Sequence, residues 1–481
     1  MGIMRMGAIE TAQHIDASGP ESLSSNAIQS CVHNTVLRPA ELNAQEETML
    51  RLRFALIILV TWPHCLQAQQ PVVDGNFDEW QCENVVATDL IGDGQASFDV
   101  SCVSAYSVGT VVYLHFDIGQ TINLQNGLPQ DGTLKLILES NGKQMTIDFR
   151  ARTASDGSAE HIGWDRIGFQ CLPTYASDKY EMRIDLGVLG VKTCDRVSIQ
   201  FAGSDSLDQP ATIVLQQRWC NLPCTQVWTK PERALRIINQ NTLNNGLSDS
   251  NRGPAFKRIF AAVNADVWCF QEEWEEDLFR KGMANTLGSM TVHWNRACAI
   301  ASRHKLEKLP MATDWGAAGL ITTGDGRKVV VISVHFKCCG FAGSNEDELR
   351  IEHAHKLVEE IKRLREGAFG EAAKTAPVML IGDYNLVGSR DPLDIINAAG
   401  LKDVVCTAGD GTAHTWRGLT TSESFWPGRL DLVATTGFHS VNGRLFDTGR
   451  LSESELEQLG VAKQDSLASD HVMLVVDCEL R

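Results

Sequence analysis

Val378-Met379-Leu380-Ile381-Gly382-Asp383-Tyr384-Asn385, entered through Pro377, is the stretch whose reading decides this fold. Four apolar residues in succession after a proline predict a strand buried on both faces, as in a sheet covered by helices, and the switch to Gly-Asp-x-Asn marks its carboxyl end. Function gathers at such ends. Gly382 lets the backbone turn with no side chain in the way. Asp383 and Asn385, two apart, can reach one site, one offering a charge and the other a neutral donor and acceptor. Taken alone, an Asp and an Asn closing a strand are more often turn formers, so the rest of the chain has to carry the reading.

The same pattern recurs on both sides. Leu235 to Ile238 reads as a strand ending at Asn239-Gln240-Asn241, followed by a loop rich in Gly, Asn and Ser. Pro254 opens a helix with Phe256, Ile259, Phe260 and Val263 on one face. Asp266 to Glu272 is another strand with a polar end, and Val329 to Val334 closes on His335. Ser344 to Glu366 is a long helix capped by Ser344, with Asp347 three residues on, and stopped by Gly367. Leu430-Asp431-Leu432-Val433 and Ser469-Asp470-His471, leading into Val472 to Val476, complete an α/β alternation that occupies 233–481.

Gln240-Asn241, Phe270-Gln271-Glu272, Val334-His335, Gly382-Asp383-Tyr384-Asn385, Arg429-Leu430-Asp431 and Ser469-Asp470-His471 resemble, in order and context, the endonuclease/exonuclease/phosphatase superfamily of DNase I-like phosphoesterases. That resemblance implies a four-layer α/β sandwich, two central mixed sheets flanked by helices, with the site at one edge. Hydrolysing a phosphate ester needs a hard cation, an activated in-line water and a way to handle the leaving oxygen. Magnesium or manganese, taking oxygen ligands, suits carboxylates with an amide nearby. The resemblance casts Glu272 as metal ligand, helped by Asn241, and allows Asp470 to contribute. Asp383 and Asn385 would orient the water and hold the phosphoryl oxygens. His471, steadied by Asp431, would act as acid/base or cationic clamp, and His335 would face the leaving group. Each has a plainer reading: Glu272 opens an acidic run of the kind found on solvated helix faces, His335 could be a satisfied strand-end histidine, and Asp470 a turn former.

From Pro71 to about Leu215 the sequence is short β-like runs with no long amphipathic helix between them, which predicts an antiparallel all-β sandwich over 69–215. Val111 to Phe116, Thr133 to Leu138 and Met145 to Phe149 are its clearest strands, with Asn141-Gly142 as a hairpin turn. The opening, Val72-Val73-Asp74-Gly75-Asn76-Phe77-Asp78-Glu79-Trp80, resembles the start of family 9 carbohydrate-binding modules, which implies a polysaccharide ligand. Trp80 and Trp164 could stack on sugar rings, or pack in the core. Residues 216–232, with Trp219, Pro223, Trp228 and Pro231, read as a linker that packs.

Met49 to Ala68 has the basic, apolar and small-residue order of a secretory signal and is too short to span a bilayer. This implies export, with 1–48 a disordered leader or upstream of the true start; an internal core strand is the alternative. In an oxidising compartment the cysteines after Ala68 favour disulfides, Cys82 to Cys102 and Cys171 to Cys194 being plausible pairs. Cys220, Cys224, Cys338 and Cys339 suggest zinc only weakly, since no suitably spaced histidines accompany them.

The net charge of −17 argues against a protein held on nucleic acid by a broad basic surface. The two-histidine pattern, His335 with His471, resembles DNase I, bacterial sphingomyelinases and several phosphatases. Leu243 stands where apurinic endonucleases carry an acid, and Pro427-Gly428 departs from the signature of inositol polyphosphate 5-phosphatases. No long aromatic hairpin for entering a membrane is evident. The expectation is a secreted metal-dependent nuclease or phosphodiesterase tethered by its N-terminal module. A sphingomyelinase-type or phosphomonoesterase activity, or a non-catalytic glycan-binding adhesion protein, is the alternative.

Overall fold

The computed structural model describes residues 72–80, 84–95, 98–158, 160–216, 228–313, 315–418 and 425–480. The signal-like segment 49–68, Cys82, Cys220, Cys224, Trp219 and Pro223 lie outside them. Among the described residues no helix is long and apolar enough to cross a membrane.

Two five-stranded antiparallel sheets form the N-terminal half. One runs β1 (Val85–Thr88), β2 (Cys102–Val108), β3 (Val111–Ile122), β8 (Ser177–Asp185), β7 (Gln170–Leu172). The other runs β10 (Ala211–Val214), β9 (Arg196–Gly203), β4 (Leu134–Ser140), β5 (Lys143–Asp148), β6 (Thr153–Ser155). Asn141 and Gly142 make the two-residue turn between β4 and β5, both at positive φ (53° and 72°), the backbone that a tight hairpin requires. Leu134, Leu136 and Leu138 alternate into the core with Met145 and Ile147, as the period of two dictates.

Neither tryptophan offers an open sugar platform. Trp164 is buried in the sandwich core. Trp80 stacks on His115, lies tilted against Tyr106 and donates its indole N–H to Glu181 Oε2, 2.9 Å away. The other oxygen of that buried carboxylate accepts the amides of Asp74 and Gly75, so the Val-Val-Asp-Gly segment is a structural clasp.

The cysteine expectation needs correcting. Cys171 is a buried free thiol and Cys194 an exposed one, unbonded to each other. Cys269, Cys298, Cys406 and Cys478 are free thiols packed as small apolar groups in the core of the C-terminal half.

The second half holds two six-stranded mixed sheets. The first runs β13 (Thr291–Asn295), β14 (Cys298–Ser302), β12 (Val267–Gln271), β11 (Leu235–Asn241), β22 (Met473–Glu479), β21 (Ser440–Phe446). The second runs β15 (Lys305–Lys308), β16 (Gly316–Thr322), β17 (Lys328–His335), β18 (Val378–Asp383), β20 (Asp431–Thr436), β19 (Lys402–Asp403). Among the strand pairs of these two sheets in the described residues, β11/β12 and β17/β18 are parallel, and they are the centre of each sheet. Ile237, Val267, Val331, Met379, Ile381 and Val433 meet between the sheets, while the helices Gly253–Val263 and Asn345–Glu366 cover the outer faces. The latter helix starts and stops as its sequence predicts: Ser344 accepts the Asp347 amide and Gly367 ends it at φ 95°. Together these layers make the four-layer DNase I-like sandwich.

Gly382 is needed for a different reason from the one its neighbours suggest. It lies within β18 opposite Val334, and a Cβ there would stand 2.0 Å from the Val334 carbonyl oxygen. Strand proximity, not a turn, excludes a side chain.

Arg236, the second residue of β11, faces away from the gap between the sheets, and alternation puts its charge in a buried position. It pairs with Asp477 on β22 through Nε and Nη2 (2.6 and 2.8 Å) and donates Nη1 to the carbonyls of Trp228 and Val263, each 2.8 Å away. It thereby ties the start of the C-terminal half to a helix end and to the last strand. Removing Arg236 leaves Asp477 with Arg444 as its remaining cation and strips the buried Trp228 and Val263 carbonyls of their donor. Arg236→Met should therefore lower the unfolding free energy by about 3 kcal/mol in denaturant titration; a change within about 0.5 kcal/mol, the range of ordinary surface substitutions, would show that this tie is dispensable.

Candidate active site

Period-two alternation decides what faces the gap between the two sheets. On β11 the inward positions run Leu235, Ile237, Asn239, Asn241; on β17 they run Val329, Val331, Ser333, His335; on β18 they run Met379, Ile381, Asp383. Each series is apolar along most of the strand and turns polar at one end. Because β17, β18 and β20 are in register, His335, Asp383 and Asp431 lie side by side. The polar ends of the other sheet meet them across the gap.

Asn241 joins the sheets. Its Nδ2 donates to Glu272 Oε1 at 3.1 Å and to Asp383 Oδ2 at 3.0 Å, while Oδ1 accepts the Leu243 amide. Glu272 follows β12 at φ 61°, a left-handed conformation that turns the chain as the strand ends, and its Oε2 accepts the Asn244 amide. Asp383 is 1 % exposed and receives the Asn385 amide on Oδ1. Burial raises its pKa to about 6, against the pull of the neighbouring His471. Asn385, at φ 46°, points its amide to the Phe336 carbonyl.

His471 Nδ1 lies 2.7 Å from Asp431 Oδ2, and its Nε2 lies 3.8 Å from Asp383 Oδ2. Burial works to lower its pKa, but the Asp431 and Asp383 carboxylates outweigh burial and hold the imidazolium up to about 10. His335 Nε2 approaches the same Asp383 oxygen at 3.7 Å from the other side. Trp274, 49 % exposed, sets its ring 5.8 Å from that of His335.

Glu272, His335 and Asp383 bring one ligand atom each within 4.8 Å of one another. Two carboxylates this close, one of them fully buried, call for a countercharge, and the oxygen-rich set with a carboxamide beside it is what a hard divalent cation takes. The residues present therefore fit a divalent metal, with Glu272 and the neighbouring Asn241 as its holders, and leave His335 and Asp383 for proton transfer. Asp470 stands outside this trio, with its oxygens against Trp416 Nε1 (3.3 Å) and Ser469 Oγ (3.4 Å).

The eight residues singled out from sequence thus lie on converging strand ends. A further layer supports them, in which Gln271 and Ser469 belong to the matching motifs without an expected role of their own. Asn239 donates to Asp431 Oδ1 and accepts from Gln271, which also donates to Ser333. Thr415 Oγ1 accepts the amides of Leu430 and Asp431, and Ser469 Oγ donates to the Asn241 carbonyl. Asn239 and Ser333 carried a signal, each standing two residues before a chosen residue and so on the same face. Thr415 carried none.

The Asp431–His471 pair is directly measurable. Since folding lifts the imidazole pKa, the stability this pair supplies is complete below about pH 6.5 and is lost as the pH climbs through about 10. In Asp431→Asn, nitrogen-15 NMR of labelled histidine should show the His471 pKa falling toward the ordinary imidazole range, with kcat lower by about a hundredfold or more and the fold intact. An unmoved imidazole pKa would mean that Asp431 does not hold the charge.

A model of the Endonuclease/Exonuclease/phosphatase family matches residues 239–471. No curated protein matches the chain. Among solved structures, it is similar to a mutant beta toxin from Staphylococcus aureus with bound magnesium ions at 15 % identity, covering 52 % of this chain and 100 % of that one, TM-score 0.37. It is also similar to the 3′ phosphatase NExo from Neisseria bound to product DNA hairpin, at 15 % identity, 52 % and 100 % coverage and TM-score 0.37. An AP endonuclease from Leishmania major matches at 10 % identity, 53 % and 90 % coverage and TM-score 0.38. With its two facing mixed sheets and the carboxylate, amide and imidazole groups gathered at their polar edge, the segment 239–471 is an endonuclease/exonuclease/phosphatase-family domain, and the chain is a divalent-metal-dependent phosphoester hydrolase.

Proposed function

We propose that this protein is a secreted phosphodiesterase that uses Mg²⁺ or Mn²⁺ and takes nucleic acid as substrate. The observation that carries the reading is the placing of two imidazoles about one buried carboxylate, His335 at 3.7 Å and His471 at 3.8 Å from Asp383 Oδ2. A diester needs a base for the attacking water, a donor for the leaving oxygen and positive charge on the phosphoryl group, and this trio supplies groups for all three.

Asp383, with its pKa lifted to about 6, takes the proton of the attacking water as the water oxygen bonds to phosphorus. The ester P–O bond opposite breaks, and His335 gives a proton to the leaving oxygen. His471, kept cationic by Asp431, donates to a non-bridging oxygen, and Asn385 steadies another. Glu272, with Asn241 beside it, would hold the divalent metal, which neutralises charge developing on the phosphoryl oxygens. Nothing in this sequence of steps needs His471 to lose its proton.

One observation favours a nucleic acid. Trp274 presents a half-exposed flat ring beside His335, on the leaving-group side, where a base can stack. The charge of −17 argues against a hold by a broad basic surface and favours a grip on the substrate at the site. Export rests on the basic, apolar and small-residue order of 49–68.

Purified protein with magnesium should turn over bis-p-nitrophenyl phosphate, DNA and RNA. Chelator should reduce each rate by at least about a hundredfold, with recovery on adding Mg²⁺ or Mn²⁺. Glu272→Gln should raise the metal concentration needed for half-maximal rate by about tenfold or more. Turnover of sphingomyelin without nucleic acid would reassign the substrate, and rates indifferent to chelator would remove the metal from the reading.

A further inference from the structure

The N-terminal sandwich and the hydrolase half pack into one compact unit, 70–481. The place where they touch is informative. Hydrogen bonds from sandwich loops land on the backbone of the segments that leave the catalytic strand ends. Asn123, buried just past β3, donates one Nδ2 hydrogen to the Thr174 carbonyl (2.6 Å) and the other to the Val387 carbonyl (3.0 Å), two residues beyond Asn385. Its Oδ1 accepts the amides of Gln125 and Asn126, so both ends of the carboxamide are engaged. Ala176 donates its amide to the Gly388 carbonyl in the same segment.

A second contact serves Asp431. Thr174 Oγ1 accepts the Arg429 amide at 3.0 Å, two residues before that carboxylate. Just upstream, Trp426 from the hydrolase half is buried in the sandwich core, edge-on to Phe149, Trp164 and Phe169 at 5.7 to 6.0 Å. A third contact reaches the segment after His335, where Asn126 Nδ2 donates to the Gly340 carbonyl at 2.6 Å. The hydrolase braces the same segments from within: Asp347 accepts the amides of Gly343 and Ser389, and Arg350 donates to the carbonyls of Lys337 and Cys339.

We propose that the β-sandwich is part of the catalytic apparatus as a positioning element: through Asn123 and Thr174 it fixes the segments that carry Asn385 and Asp431. Neither residue touches the reacting atoms, so both are positioning residues. Their side chains hold backbone groups that a shorter or apolar side chain could not hold, and the site gains its fixed geometry from a second core rather than from loop stiffness alone. The inference rests on the roles given above to Asn385 and to the Asp431–His471 pair.

Thr174→Val keeps the shape and loses the acceptor; Thr174→Ser keeps the acceptor; Asn123→Ala removes the other contact. With bis-p-nitrophenyl phosphate and magnesium, Thr174→Val and Asn123→Ala should lose at least about tenfold in kcat with KM within about twofold, and Thr174→Ser should recover most of the rate. By hydrogen-exchange mass spectrometry, peptides covering 385–389 and 425–431 should exchange faster in the two impaired variants, while β11 stays protected. Wild-type kcat in Thr174→Val alongside an inactive His471→Ala, or unchanged exchange over 425–431, overturns the proposal. Full activity in His471→Ala would instead overturn the catalytic reading on which it rests, and the exchange result would still decide whether the sandwich fixes these segments.

Discussion

Two carboxylates from different sheets, Glu272 and Asp383, are held within reach of each other by one carboxamide, Asn241, which donates to both. Much of the site follows from keeping that arrangement dry enough to matter and ordered enough to persist. A buried carboxylate without donors would take a proton or draw in water. Here Asn241, the Asn385 amide and two imidazoles surround Asp383, so burial shifts its titration toward neutrality without leaving it unsupported. The Asp431 carboxylate is met in turn by Asn239 and His471, while its backbone amide donates to Thr415.

The fold was legible in the sequence where the physics is local. An apolar run that stops at a polar residue, repeated along the chain, marks strands entering one gap, and alternation alone puts Asn241, His335 and Asp383 on the inner face. The long helix carried its own start and stop in Ser344 and Gly367. Asn141-Gly142 gave the hairpin. What could not be read was what depends on a partner far away in sequence. Arg236 looks like an interruption of a strand until Asp477 is beside it, and Thr415 has no local mark because its role is set by the amides of Leu430 and Asp431. Gly382 was legible as necessary but for the wrong reason, since the approach of β17 cannot be inferred from β18. Cys171 and Cys194 paired well by spacing and compartment, yet one faces a core and the other solvent.

The same limit hid the relation between the two halves. A change of pattern near residue 216 marks the passage from β runs to α/β alternation, and a separate module with a ligand of its own is the natural reading of such a change. Contacts such as Asn123 to Val387 join positions more than 250 residues apart. No window along the chain contains both.

Trp426 has a consequence for how this chain comes into being. The sandwich is synthesised first, yet the ring that completes its core belongs to a segment made long afterwards. While the ribosome works through the intervening hydrolase sequence, the sandwich carries an open aromatic socket formed by Phe149, Trp164 and Phe169. Nascent chains with such exposed apolar surface are the ones that aggregate or recruit chaperones, so the order of translation makes the first half wait for the second.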